Sequence, residues 1–228
     1  MADVLLSTGS PALDSLLGGG IEPRVITQFF GEPAGGKSTI CVMIAVSCLR
    51  GGRGVIFIDT EGFSIERFRQ VAGEDAVGLS ERLILFEPHG FEEQGVVIGQ
   101  LDPHLRGGDI GLIVLDSATG LYRTRLAKGK DAMQKLTAQM VQLLGYAKRY
   151  DIPVVITNQV YMDTVRNVYM GLGGTALEHI SKVIVRIDRI SSHRKATLVK
   201  HRSLPAGGAI RFDIVNEGIR VLDQPASG

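Results

Sequence analysis

Gly31-Glu32-Pro33-Ala34-Gly35-Gly36-Lys37-Ser38 fits the pattern G-x-x-x-x-G-K-[ST] at every fixed position. Glycines in such a stretch let successive backbone N–H groups turn inward and line a concave, anion-seeking surface. An apolar, β-rich run, Val25 to Phe30, precedes it, and a helical run, Lys37 to Leu49, follows. The positive end of that helix dipole adds to the cradle. The arrangement predicts a phosphate-binding loop. Lys37 would place a point charge at the β/γ-phosphate oxygens, and Ser38 would offer its hydroxyl to Mg²⁺. Gly31 to Ser38 and the next residue, Thr39, are the expected nucleotide contacts, with ATP and Mg²⁺ as the expected ligands.

Outward from the loop, short apolar runs alternate with amphipathic ones. Val55 to Asp59, Leu83 to Phe86, Leu112 to Asp116 and Val154 to Thr157 read, like Val25 to Phe30, as strands buried on both faces, hence a parallel sheet. Ile65 to Ala72, Phe91 to Leu105 and Met133 to Tyr150 read as helices between them. The alternation predicts a doubly wound, mainly parallel α/β fold. After residue 180 the texture changes. Lys182 to Ile190, Thr197 to His201, Ile210 to Val215 and Ile219 to Leu222 read as strands joined by turns, an antiparallel C-terminal extension. Residues 223–228 read as a loose tail. No repeat, low-complexity tract or linker interrupts residues 1–228, so one domain is expected.

Strand ends supply the polar chemistry. Asp116 closes Leu112-Ile-Val-Leu-Asp116, where an acid can hold magnesium through water. Asp59-Thr-Glu-Gly62 closes another strand, and Glu61 is the candidate for polarising an attacking water. Asn158-Gln159 closes a third; an amide there can sense a terminal phosphate and pass the signal into the loop that follows.

Composition bounds the alternatives. The formal net charge is +1, yet residues 121–202 carry 15 Lys/Arg against 5 Asp/Glu, a block able to bind a polyanion. No apolar stretch reaches the roughly 20 residues of a membrane span, and no secretory leader is apparent. Cys41 and Cys48 lie two turns apart on one helix, too far for a disulfide. They read as core thiols, which fits a reducing cytoplasm. The five histidines show no metal spacing, and His179 reads as structural.

Beyond the loop, Leu6-Ser-Thr-Gly-Ser-Pro-Ala-Leu-Asp-Ser-Leu-Leu-Gly-Gly-Gly-Ile21, Asp59-Thr-Glu-Gly62, Leu112-Ile-Val-Leu-Asp-Ser117, Ile156-Thr-Asn-Gln-Val160 and Gly173-Gly-Thr-Ala-Leu-Glu-His-Ile-Ser181 follow in order. This set resembles the RecA-like ATPase core of the RecA/RadA recombinases over nearly the whole chain, and most of all the core-only archaeal RadB proteins. The resemblance implies a DNA-binding ATPase of repair and recombination, with Glu61 catalytic alongside Lys37, Gln159 as γ-phosphate sensor, and Arg67 packing its guanidinium on the adenine. The core motif starts at Leu6, so no N-terminal helix-hairpin-helix domain is expected. No Phe-x-x-Ala polymerisation segment precedes it. Those departures point to an accessory of a RadA-type recombinase, at most a weak homo-oligomer, with low turnover.

In this family two loops face DNA. Here they would be Thr119 to Ala132, with Arg123, Arg125, Lys128 and Lys130, and Met162 to Leu172, with Arg166 and Tyr169. The glycines of the first suggest a mobile backbone; the tyrosine of the second could stack on a base. Binding would be backbone-led and without sequence preference, to DNA that is single-stranded. The resemblance also places Lys200 and Arg202 against a neighbour's γ-phosphate and Pro205 against its adenine. Strand alternation would put the two cations on one face, where they repel unless an anion lies between them. Two other classes share a P-loop: a RecA-fold regulatory ATPase of the circadian-clock KaiC type, which binds protein and not DNA, and a P-loop kinase, which needs a lid this sequence has no insertion to form.

Overall fold

The computed structural model describes residues 4–163 and 168–222, with the backbone alone for Lys128, residues 162–163 and residues 168–170. Six parallel strands form its centre. A short helix, α1 (Pro11–Leu16), leads to β1 (Ile26–Gly31), α2 (Lys37–Arg50) and β2 (Gly54–Asp59). Two helices, α3 (Ile65–Ala72) and α4 (Ala76–Ser80), precede β3 (Leu83–Phe86). Then come α5 (Phe91–Gly99), α6 (Asp102–Leu105), β4 (Ile110–Asp116), α7 (Lys130–Tyr150) and β5 (Val154–Asn158). A separate hairpin, β6 (Val160–Asp163) with β7 (Val168–Gly171), projects from β5 and leads to α8 (Gly174–Ile180). The chain ends in β8 (Val183–Ile190), β9 (His193–Lys200), β10 (Ala209–Val215) and β11 (Gly218–Leu222).

The nine-stranded sheet has the order β11-β10-β9-β8-β1-β5-β4-β2-β3. From β3 to β8 it is parallel, and from β8 to β11 each pair is antiparallel. The doubly wound sheet and the C-terminal meander are therefore both present. The central strands are Val/Ile-rich because helices cover both their faces; all six residues of β2 are buried. On one face α2, which buries ten side chains, packs with α3 under the meander. On the other, α5 and α7 cover Ile26, Ile58, Leu115 and Ile156.

Three boundaries differ from the sequence reading for local reasons. Phe91 to Leu105 is two helices, interrupted at Gln100 and Leu101, with Pro103 in the first turn of the second. β9 begins at His193, not Thr197: pairing with β8 and β10 extends the strand through Arg194 and Lys195, whose charges masked the apolar pattern. Residues 119–132 are not an open mobile loop. Residues 122–128 form a 3₁₀ helix, pinned by the buried Tyr122 ring against Phe91 at 5.7 Å between centroids, and α7 starts at Lys130.

Candidate functional site

β1, β5, β4 and β2 are consecutive in the sheet, so the segments leaving their carboxyl ends converge. The phosphate loop joins β1 to α2. Gly36 caps α2 with φ 99°, leaving the first-turn N–H groups of the helix without intrahelical acceptors. Gly31 answers to the sheet: a Cβ there would stand 2.0 Å from the Ile187 carbonyl oxygen of β8, at φ 150°. Its glycine is required by that backbone approach, whatever the ligand.

Lys37 is buried, and its ammonium donates to the carbonyls of Gly31 at 3.0 Å and Glu32 at 2.9 Å. Burial pushes its pKa down, while Glu61 and Asp116 oppose that shift. Two of its three donors hold the loop and the third remains. Asp116 is buried and accepts hydrogen bonds from the hydroxyls of Thr157 and Ser38. Burial raises its pKa, and those two bonds work against the rise. The Ser38–Asp116 contact is the pair expected for magnesium. Among the described residues no group of three or more His, Cys, Asp or Glu forms a protein-only metal cage; Mg²⁺ at phosphates needs only one or two protein ligands besides water and phosphate oxygens.

Glu61 and Gln159, on different strands' ends, meet directly. Gln159 Nε2 donates to Glu61 Oε1 at 2.6 Å, and Ser117 Oγ donates to the same oxygen at 2.7 Å. Ser117 is itself placed by its backbone exchange with Thr60 and by accepting the Gly120 N–H. It follows Asp116 in the sequence, which was the available signal for it. Asp59, the register partner of Asp116, accepts from Gly62 N at 2.6 Å. Burial raises its pKa to about 6, with repulsion from Asp116 and Glu87 adding to the rise. Asp59 thus shapes the Thr60–Gly62 turn that presents Glu61.

Loop residues Pro33 to Thr39, with Glu61, Gln159, Arg194 and Ile214, line a cavity of about 370 Å³. Gln159 Oε1 and Arg194 Nε, on two of its walls, are buried without a hydrogen-bond partner. A buried acceptor and donor left open beside a cradle of N–H groups suit a hydrated polyphosphate, so the residues fit ATP with Mg²⁺. Sequence reasoning missed Arg194, which reaches the loop only through the sheet order.

The outer candidates stand differently. Arg67 lies off this cavity: its guanidinium donates to Gln70 Oε1 and to the carbonyls of Asn216 and Gly218, tying α3 to the β10–β11 turn. Lys200 and Arg202 do not form a repelling pair. Lys200 Nζ donates to the carbonyls of Glu178 and Ser181, at 2.5 and 2.8 Å. The strand ends at Lys200, so alternation does not carry on to Arg202, which pairs with Glu22 at 2.7 Å. Pro205 is exposed. His179 is exposed on the last turn of α8. Arg123 and Lys130 are exposed, and Arg125 pairs with Glu92 at 2.7 Å. Of the segment 162–172, residues 162–163 and 168–171 belong to the β6–β7 hairpin, where Tyr169 opposes Met162; Arg166 lies outside the described residues, as do the side chains of Lys128 and Tyr169. No helix among the described residues is long and apolar enough to cross a membrane.

A P-loop at the carboxyl end of β1, an acid at the end of β4 two strands away and a carboxylate just past the next strand, β2, define a RecA-like P-loop core. Comparison with known proteins narrows the class. The model of the family described as Rad51 matches residues 2–222. The chain belongs to that family. The "DNA repair and recombination protein RadB" of Methanoculleus marisnigri is 56% identical over 219 residues, spanning 95% of this chain and 98% of that protein. The RadB of Methanococcoides burtonii is 43% identical over 220 residues, spanning 95% and 97%. A solved structure described as "Crystal structure of the RadB recombinase" superposes with a TM-score of 0.81 at 35% identity, covering 96% of this chain and all of that one.

Proposed function

We propose that this chain is an ATP- and DNA-binding protein of DNA repair and homologous recombination, hydrolysing ATP slowly and assisting a RadA-type recombinase. The observation that carries the reading is the Gln159–Glu61 hydrogen bond. It joins the water-polarising carboxylate to the residue that heads the β6–β7 hairpin. The relatives' printed names supply the biological setting.

Bound ATP with Mg²⁺ would supply the phosphoanhydride bond to be broken and the cation that neutralises it. The chain's own residues do the rest. Lys37 and the first-turn N–H groups of α2 bind phosphate oxygens, and Ser38 and Asp116 hold the metal's water shell. Glu61, oriented by Ser117 and Gln159, positions a water and takes its proton. Arg67, held beside the cavity by the Asn216 and Gly218 carbonyls, would stack its guanidinium on the adenine. Arg123, Arg125, Lys128 and Lys130, with the β6–β7 hairpin, contact the DNA backbone. A trans role for Lys200 would require it to leave two carbonyls, so the contacts seen favour a site served by one chain.

A regulatory ATPase of the KaiC type is not favoured by relatives named for DNA repair and recombination. The test is ATP turnover with and without single-stranded DNA, paired with DNA binding across a salt series. The reading requires salt-dependent binding and DNA-altered turnover; salt-independent or absent binding overturns it.

A further inference from the structure

We infer that Arg194 is a phosphate-binding residue of the nucleotide site, supplied by the same chain and directed at the non-terminal phosphates. The inference rests on the proposed nucleotide site and extends it to a residue no loop motif contains. The sheet places it. Gly31 and Gly35 both abut Ile187 of β8, so the loop lies against that strand. Arg194 on β9 pairs with Arg189, two residues past Ile187, which sets it about 7 Å further along the strands. Alternation puts Arg194 on the same face as Ala196 and Leu198, which are buried under α2, while His193 and Lys195 take the opposite face. Its β10 register partner, Phe212, and Ile214 approach Gly36 from the same side. The guanidinium therefore reaches the cavity from above the loop.

Its bonding leaves it available. Among the described residues no carboxylate forms an ion pair with Arg194, and its one hydrogen bond runs from Nη1 to the Ser192 carbonyl at 3.5 Å. Nε is buried without a partner. The nearby carboxylate of Asp213 lies on the other face of the sheet, engaged by His193 at 2.8 Å and Arg220 at 3.8 Å. A guanidinium offers five donors in a planar fork suited to phosphate, and almost none of this one is used. The meander's other candidate cations, Lys200 and Arg202, are tied to carbonyls and to Glu22.

Position decides which phosphate. Glu61, Asp116 and Gln159 come from β2, β4 and β5, on one side of β1; Arg194 comes from β9, on the other. The water-polarising residue marks the terminal-phosphate end. A cation entering from the opposite flank meets the phosphates that ATP and ADP share. It strengthens binding of both nucleotides and leaves the chemical step alone.

The experiment measures ATP and ADP affinity by calorimetry for the whole chain and for Arg194→Gln, Arg194→Lys and Lys37→Ala, with kcat at saturating ATP. Arg194→Gln should weaken both nucleotides by a similar factor, about 10- to 100-fold, as loss of a charge-assisted contact does. Arg194→Lys should recover part of it. Unchanged ADP affinity in Arg194→Gln, with Lys37→Ala impaired, overturns the inference and spares the nucleotide site. Loss confined to ATP together with a fall in kcat overturns the assignment to non-terminal phosphates. If Lys37→Ala also binds normally, the nucleotide reading itself fails. Should Arg194→Gln melt early, Arg194→Lys, which keeps a long aliphatic stem, must still weaken ATP and ADP equally.

Discussion

Asp59→Asn should stabilise the protein at neutral pH and not at pH 4. The carboxyl is buried at the end of β2, opposite Asp116, and titrates at about 6 in the folded chain instead of the ordinary 3.8. Between those values the folded state holds a proton that the unfolded state has released. Stability contributed by the neutral acid is therefore fully present below pH 3.8 and is lost as pH rises through 6. At about 1.4 kcal/mol per pH unit the gap corresponds to roughly 3 kcal/mol as an upper bound. Water at the rim of the cleft screens the carboxylate and reduces that to about 1–2 kcal/mol. The amide keeps an acceptor for the Gly62 N–H, at 2.6 Å in the native chain. Its bond is neutral, and the preference of that N–H for the carboxylate is already contained in the folded pKa. The expected gain is about 1–2 kcal/mol at pH 7.5, shrinking towards zero by about pH 4. Urea denaturation of both chains between pH 4 and 8, at fixed ionic strength and without nucleotide, measures it. A difference in stability that stays constant across that range would refute the argument, because only a titrating carboxylate makes it pH-dependent.

Lys37→Ala should abolish tight ATP binding, whereas Glu61→Gln should spare binding and depress turnover; equal loss of affinity in both would count against that division of labour. Ser117→Ala removes one of the two donors that orient Glu61 and should lower turnover about tenfold, for a loss of about 1.4 kcal/mol, with ATP affinity unchanged; a fall in affinity instead would show that the hydroxyl serves the nucleotide. Neutralising Arg123, Arg125, Lys128 and Lys130 together should weaken single-stranded DNA binding and flatten its salt dependence by up to ~0.7 in log–log slope per lost phosphate contact. An unaltered slope would move the DNA surface elsewhere.

What could be read in the chain was whatever a strand end fixes by its place in the sequence. Asp116, Glu61 and Gln159 each follow a buried run by zero to two residues, so a parallel sheet brings them to one edge once the run is recognised. What could not be read depended on partners remote in sequence. Arg194 joins the cavity because β9 lies two strands from β1, an order no local pattern encodes. Arg202 left the expected face because β9 stops at Lys200 and Glu22, 180 residues earlier, supplies an ion pair. The 119–132 segment looked mobile from its glycines and charges; the buried face of Tyr122 against Phe91 outweighed them.

Under the proposed function, the links between Glu61 and Gln159 and the two segments proposed to face DNA would let one side chain serve as sensor for both. Thr119 Oγ1 accepts the Gln159 backbone N–H at 3.0 Å and donates to Asn158 Oδ1 at 2.8 Å. One hydroxyl thus joins the segment after β4 to the end of β5. Asn158 Nδ2 donates to the Leu172 carbonyl, and Leu172 N–H to the Gln159 carbonyl, each at 2.8 Å. Both legs of the β6–β7 hairpin are therefore fastened to the two residues that precede it. These bonds are buried or half-buried, where breaking one leaves an unpaired polar group at a cost of about 1–3 kcal/mol. The softer link is Gln159 Nε2 to Glu61, made by a side chain at the open rim of the cavity. Under the proposed function, a competing acceptor at that rim would turn the Gln159 side chain before it disturbed the backbone anchors. The anchors would then carry that turn into the hairpin as a change of direction, with its base kept whole.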